Sequence, residues 1–190
     1  MKYNFQKHNV GIMINSKILA SINLFLIPII GNGKIGFINK NEKIIINPQF
    51  EEMKDEFFTE DSLVRVKRDS KWGVIDAFGK VRIPFNNQEI NKYGDGLYEI
   101  RVGLGGRDSR GLVDSNNNII VPIGVYGNFY YYKEFAIIIT LDNKYGAMDK
   151  HGAVIVPPIY DSIDWTQKTD PILTAKLGDE KIEFNLNLLR

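Results

Sequence analysis

Apolar residues alternate along the chain in four short stretches, at Ile27/Ile29, Val64/Val66, Ile100/Val102 and Ile137/Ile139, with Pro28, Arg65, Arg101 and Ile138 between them. A period of two with one apolar face predicts a strand. Short polar turns follow, as in Gly31-Asn32-Gly33, Arg68-Asp69-Ser70 and Asp142-Asn143-Lys144. Next comes a second strand built around a glycine, so the two strands are predicted to pair as an antiparallel hairpin. That strand ends at Asn39, Asp76, Asp114 or Asp149. A short polar side chain there bonds the backbone two residues on, and Gly79, Asn117 and Gly152 tolerate positive φ, which predicts a second tight turn. A third strand is expected at 81–83, 119–121 or 154–156, with the following proline ending it by removing a ladder donor.

These elements recur at a fixed period. Gly36, Gly73, Gly111 and Gly146 are 37, 38 and 35 residues apart, preceded by Ile35, Trp72, Arg110 and Tyr145. Pro48, Pro84, Pro122 and Pro157 follow their glycines by 12, 11, 11 and 11 residues. A period in this range marks an array of supersecondary units. The strand glycine needs a reason, because glycine there is unfavourable by about 0.5–1 kcal/mol against alanine. Its missing side chain is expected to let a ring or a neighbouring backbone lie against it. Trp72 is expected to be a packing residue burying roughly 150–250 Å², about 4–6 kcal/mol as an upper figure.

Lys71-Trp72-Gly73-Val74-Ile75-Asp76-Ala77-Phe78-Gly79-Lys80, followed by a proline, resembles the WG repeat of bacterial β-repeat proteins. The copy over 144–161 is similar, running from Lys144-Tyr145-Gly146 through Asp149 to the ending Pro157-Pro158-Ile159-Tyr160-Asp161. The resemblance covers residues 24–178 and adds a closing half-copy, Lys181-Ile182-Glu183-Phe184, with Glu183 in the glycine place. It implies no catalytic motif and a role in binding, in a bacterial envelope or toxin-related setting.

Composition narrows the functional classes. The 190 residues are 44% hydrophobic, enough for a buried core. Lys plus Arg number 24 against 23 Asp plus Glu, so no net field draws the protein to nucleic acid or an anionic membrane. With no Cys, and only His8 and His151, neither a thiol nucleophile nor a metal site is expected, and no cofactor is implied. Residues 18–30 form a mostly apolar run after Lys17, too short to span a membrane comfortably. Asn23 and Pro28 interrupt it, and no small-x-small cleavage site follows. We therefore favour an N-terminal capping hairpin over a secretory signal, and a cytoplasmic location over export.

Candidate chemistry is sparse. Gly103-Leu104-Gly105-Gly106-Arg107 lacks the Gly-Lys-Ser/Thr and the helix of a phosphate loop. Val102 lies 9 residues before its glycine where Val66 lies 7, so this hairpin turn is expected to be two residues longer, with Arg107 and Arg110 able to meet an anion. Asp76, Asp114 and Asp149 occupy equivalent turns, where capping outweighs paired acid–base chemistry, which needs two carboxyls within about 5–10 Å. In Phe129-Tyr130-Tyr131-Tyr132, alternation puts Tyr130 and Tyr132 on one face, a candidate ledge for peptide or sugar. Residues 51–61 carry an acidic run, including Glu51, expected to be a solvated face.

The sequence thus predicts an all-β chain of tandem three-strand hairpin repeats forming an elongated, twisted antiparallel array, with a closed propeller-like arrangement as the alternative. Residues 1–30 are expected to be a capping hairpin or signal, 31–178 four repeats and 179–190 a half-repeat cap. The connections at 49–61, 85–95, 123–134 and 158–171 are where function is expected. The expected role is noncatalytic binding of a protein or peptide, with a carbohydrate or cell-wall module as the alternative.

Overall fold

The computed structural model describes residues 26–54, 63–94, 96–104, 107–132, 136–164 and 171–189, and among them every regular element is a strand. Most of the 1–30 segment, including the apolar run up to residue 25, lies outside the described residues. The chain divides into two compact units, Met1–Ile90 and Asn91–Arg190.

The first unit holds β1 (Ile27–Gly31), β2 (Lys34–Ile38) and β3 (Ile44–Phe50) in one antiparallel sheet. A second sheet contains β4 (Glu52–Met53), β5 (Leu63–Arg68), β6 (Lys71–Asp76) and β7 (Val81–Asn87), in that order. The division between units falls inside β8 (Glu89–Gly94). That strand edges a sheet with β9 (Leu97–Leu104), β10 (Arg107–Asp114) and β11 (Ile119–Val121). Next come β12 (Asn128–Tyr132), β13 (Ala136–Leu141), β14 (Lys144–Met148) and β15 (Val154–Tyr160), and finally β16 (Ser162–Asp164), β17 (Ile172–Leu177) and β18 (Glu180–Asn185). Each sheet is an open meander, so the all-β repeat expectation holds and no sheet closes into a barrel.

The hairpin turns follow from local chemistry. Gly31 faces Lys34, Arg68 faces Lys71 and Leu141 faces Lys144, leaving two-residue loops. Both loop residues have positive φ in Asn32-Gly33, Asp69-Ser70 and Asp142-Asn143, the type I′ pattern whose twist suits flanking strands. The β9–β10 hairpin corrects the expectation of a longer turn. Leu104 faces Arg107, so the two extra residues lengthen the ladder and leave the loop at two residues. Gly111 consequently faces Ile100 and not Val102.

The repeating unit is also larger than three strands. The connections contain β4, β8, β12 and β16, each placed as an added strand beside the next hairpin. Proline does not end the third strand in three copies: β3 runs through Pro48, β7 through Pro84 and β15 through Pro157 and Pro158. There the register shifts. Ile35 and Phe37 face Phe50 and Ile46, Trp72 and Val74 face Asn87 and Ile83, and Tyr145 and Ala147 face Tyr160 and Val156. Three residues of the third strand bulge opposite each intervening glycine, on a strand that edges its sheet, so proline forfeits no ladder bond.

The single apolar face expected from alternation also needs correction. In β13, Ile137 and Ile139 belong to a core cluster with Leu112 and Val121, while Ala136 and Ile138 belong to another with Leu173 and Ala175. Both faces are buried, because successive meanders within the unit pack face to face, and the strand reads as an apolar run. In the first unit one cluster joins Phe37, Ile46 and Phe50 to Val64, Val66 and Ile75.

Candidate functional site

The recurrent glycine is fixed by the third-strand bulge at Gly36, Gly73 and Gly146, and by the end of β11 and the residues just after it at Gly111. A methyl group at Gly36 would lie 2.5 Å from Pro48 N and 2.6 Å from Ile46 O; at Gly146 it would lie 2.6 Å from Val156 O and 2.7 Å from Pro158 N. At Gly73 it would meet Phe85 Cδ1 at 2.8 Å, and at Gly111 Ile123 Cγ1 at 2.7 Å. The half-copy supplies the counterpart. Leu177 faces Glu180 and Ala175 faces Ile182, so the ladder puts Ile182, and not Glu183, in the glycine place. Among the described residues no third strand lies beside β18, and a side chain is accommodated there.

Trp72 is buried, as expected of a packing residue, with Lys54 Nζ 4.9 Å and Lys67 Nζ 5.8 Å from its ring centroid. Its carbonyl accepts from Asn87 Nδ2, which also donates to Pro84 O and so ties the bulge to the central strand. Tyr145 is partly buried and packs against the core cluster of its unit.

The repeated carboxylates serve their own turns. Asp76 Oδ1 accepts from the amides of Phe78 and Lys80, and Asp149 Oδ1 from those of His151 and Ala153. Asp114 Oδ1 accepts from Asn116 N and Asn118 N, and its Oδ2 from Asn118 Nδ2. Partial burial pushes the Asp114 carboxyl up, but the Asn118 side-chain and backbone bonds outweigh it and hold the group below the usual range. In the first copy Asn39 Oδ1 makes the same pair of bonds. The fourth turn residue has positive φ in all four: Glu42, Gly79, Asn117 and Gly152.

A second set of carboxylates, given no specific role by the sequence, sits where the chain passes from one meander to the next. Glu51 accepts from Lys34 Nζ of its own sheet and from Ser70 N in the next hairpin turn. Asp161 accepts from Lys144 Nζ and from Gly178 N in the corresponding places. The backbone repeats the match, with Glu51 N donating to Lys67 O and Asp161 N to Lys176 O. Glu51 is held below the ordinary carboxylate range chiefly by the Ser70 amide, and Asp161 chiefly by the Lys144 bond and then the Gly178 amide. The signal in the sequence is the common spacing of 17 residues from Lys34 to Glu51 and from Lys144 to Asp161.

The described candidate binding residues do not share one exposed surface, because Tyr132 lies in the core. Tyr130 is 42% exposed, whereas Tyr132 is 3% exposed, lies in the core and donates its hydroxyl to Ile172 O. The expected two-tyrosine ledge is therefore absent: these side chains share a face by register, but the next meander covers Tyr132. Arg110 is engaged on several sides. Its Nη1 lies 3.7 Å from Glu99 Oε2, its Nη2 donates to Asn128 Oδ1, and its guanidinium lies 5.4 Å from the Phe129 ring. Glu99 is only 8% exposed and also accepts from Arg101 Nε, so Arg110 compensates a buried charge. Tyr93 donates to Phe129 O beside this group; burial, then the Glu99 charge, pushes its hydroxyl up to about 12. Arg107 belongs to β10, and its side chain lies outside the described residues.

What recurs at the surface is aliphatic. The first residue of each third strand is exposed: Ile44, Val81, Ile119 and Val154. In the first unit Ile45 and Phe78, the latter 73% exposed, add to Ile44 and Val81. A methyl group at Gly79 would lie 3.4 Å from Ile46 Cγ1, so the turn bearing Phe78 sits against β3, which bears Ile44 and Ile45.

No curated protein sequence matches the chain. Among solved structures, a crystal structure of a eukaryotic initiation factor is similar over 84% of this chain and 48% of that chain, with 10% identity and a TM-score of 0.42. The chain thus spans about half the length of that structure. The family model described as WG containing repeat matches residues 35–72, 72–103 and 145–166. Those matches begin at Ile35, Trp72 and Tyr145, the residues directly before three of the strand glycines that the bulges require, and they identify these stretches as WG-containing repeats.

Proposed function

We propose that this repeat scaffold is noncatalytic and binds an extended segment of a protein partner at the apolar surface of its first unit. The observation that carries the reading is the exposure of Ile44, Ile45, Phe78 and Val81, on β3, at the start of β7 and on the turn that rests on β3. Single exposed apolar residues are ordinary, but several on two elements that touch, a largely exposed phenylalanine among them, fit recognition of a partner. The turn carboxylates support the noncatalytic part, since Asp76, Asp114 and Asp149 are each occupied by amides of their own turns.

The test is selection of peptide ligands from a random library, followed by affinity measurement on variants. Phe78→Asp with Val81→Asp is expected to weaken binding about tenfold or more while leaving the circular dichroism spectrum unchanged. Tyr130→Ala is expected to leave affinity as it was. Ligands that bind the double variant as tightly as the parent would refute the reading.

A further inference from the structure

The outer edge of β18 is the place in the second unit where, among the described residues, the repeat pattern lacks its third strand. In the other four sheets the strand corresponding to β18 has a neighbour on its far side: β3 beside β2, β7 beside β6, β11 beside β10 and β15 beside β14. β18 ends its sheet, and among the described residues nothing pairs with its outer edge. After Asn185 the chain turns away, with Leu186 N donating to Pro171 O and Leu188 N to Asn185 O. An uncovered edge presents a row of donors and acceptors to any strand that matches its register.

We infer that this edge pairs antiparallel with the β18 edge of a second copy of the chain. Leu177 and Glu180 flank a two-residue turn and form the hydrogen-bonded pair that closes it, so the backbone groups of Lys181 and Glu183 point outward. A two-fold axis normal to the sheet keeps each side chain on its own face, which restricts the pairing to registers centred on a residue. Centring on Lys181 sets Lys181 against itself, and centring on Glu183 sets two carboxylates together. Centring on Ile182 places Lys181 of each copy opposite Glu183 of the other, twice. It also sets Ile182 against Ile182 on the face where Ile182 and Phe184 are partly buried against the core. The exposed charges of this edge, which repel most strand partners, are complementary to themselves in this register. Ile182 also disfavours a proline-bulged strand of the kind that covers Gly146, and it suits the regular strand that β18 itself is.

Sedimentation equilibrium of the 190-residue protein from micromolar to millimolar concentration tests the inference. The mass is expected to rise from 21.7 kDa toward twice that value. Lys181→Glu is expected to weaken dimerisation about tenfold or more by placing like charges opposite each other, and adding Glu183→Lys is expected to restore it. Lys181→Pro, which removes an outward donor without touching the β17 ladder, is expected to abolish it. A monomer at every concentration would overturn the inference. So would a dimer that both Lys181→Glu and Lys181→Pro form as tightly as the parent.

Discussion

At the residue scale, two chemical demands account for the recurrent glycines. Those in the central strands are needed because the third strand, or at Gly111 also the chain just after it, lies against them; those in the turns are needed where φ is positive. The two demands predict different outcomes. Gly146→Ala is expected to cost about 1–3 kcal/mol in urea unfolding, because the contacts at 2.6–2.8 Å are with backbone that has no rotamer to change. Glu42 holds a φ of 61° where other copies have Gly or Asn. Glu42→Gly is therefore expected to stabilise the protein by about 0.5–1 kcal/mol, read as a higher urea midpoint with unchanged slope. Trp72→Ala removes a buried ring that two lysines cover and is expected to cost about 3–5 kcal/mol. The turn carboxylates and their bonds were legible from sequence, since an Asp followed three residues later by Gly or Asn specifies its own local geometry. The fate of Tyr132 was not, because alternation gives the face on which a side chain stands but not what covers that face.

At the element scale, the hairpins were readable and their flanks were not. A two-residue turn imposes a register that runs outward through both strands, so the pairing of Val66 with Gly73 or Ile139 with Gly146 is decided locally. The bulge around each proline and the short strand after it are decided by a neighbouring meander, whose residues are distant in sequence. Glu51 and Asp161 show how that neighbour is held: each carboxylate bonds a lysine in one sheet and a turn amide in the next. Their depressed protonation gives a signed prediction. A carboxyl whose folded value lies below its ordinary one adds stability above the ordinary value and loses it as pH falls through the folded one. Asp161→Asn is accordingly expected to lower the melting temperature at neutral pH. The gap between variant and parent should close as pH drops below the ordinary 3.8. A gap that stays constant down to acid pH would remove Asp161 from this role.

At the scale of the whole molecule, the sequence period revealed the array because each copy repeats the same backbone problem and solves it with the same residue types. It did not reveal the surface, because aliphatics at the start of the third strands read like any other strand residue. Only the folded units distinguish Ile46, buried in the core, from Ile44, exposed two residues earlier. The most direct measurement of the central claim is a backbone amide NMR titration with a library-selected peptide ligand. The account predicts shift changes concentrated at residues 42–46 and 76–82, around Ile44, Ile45, Phe78 and Val81. Changes centred instead on residues 128–132, with the first group unmoved, would contradict it.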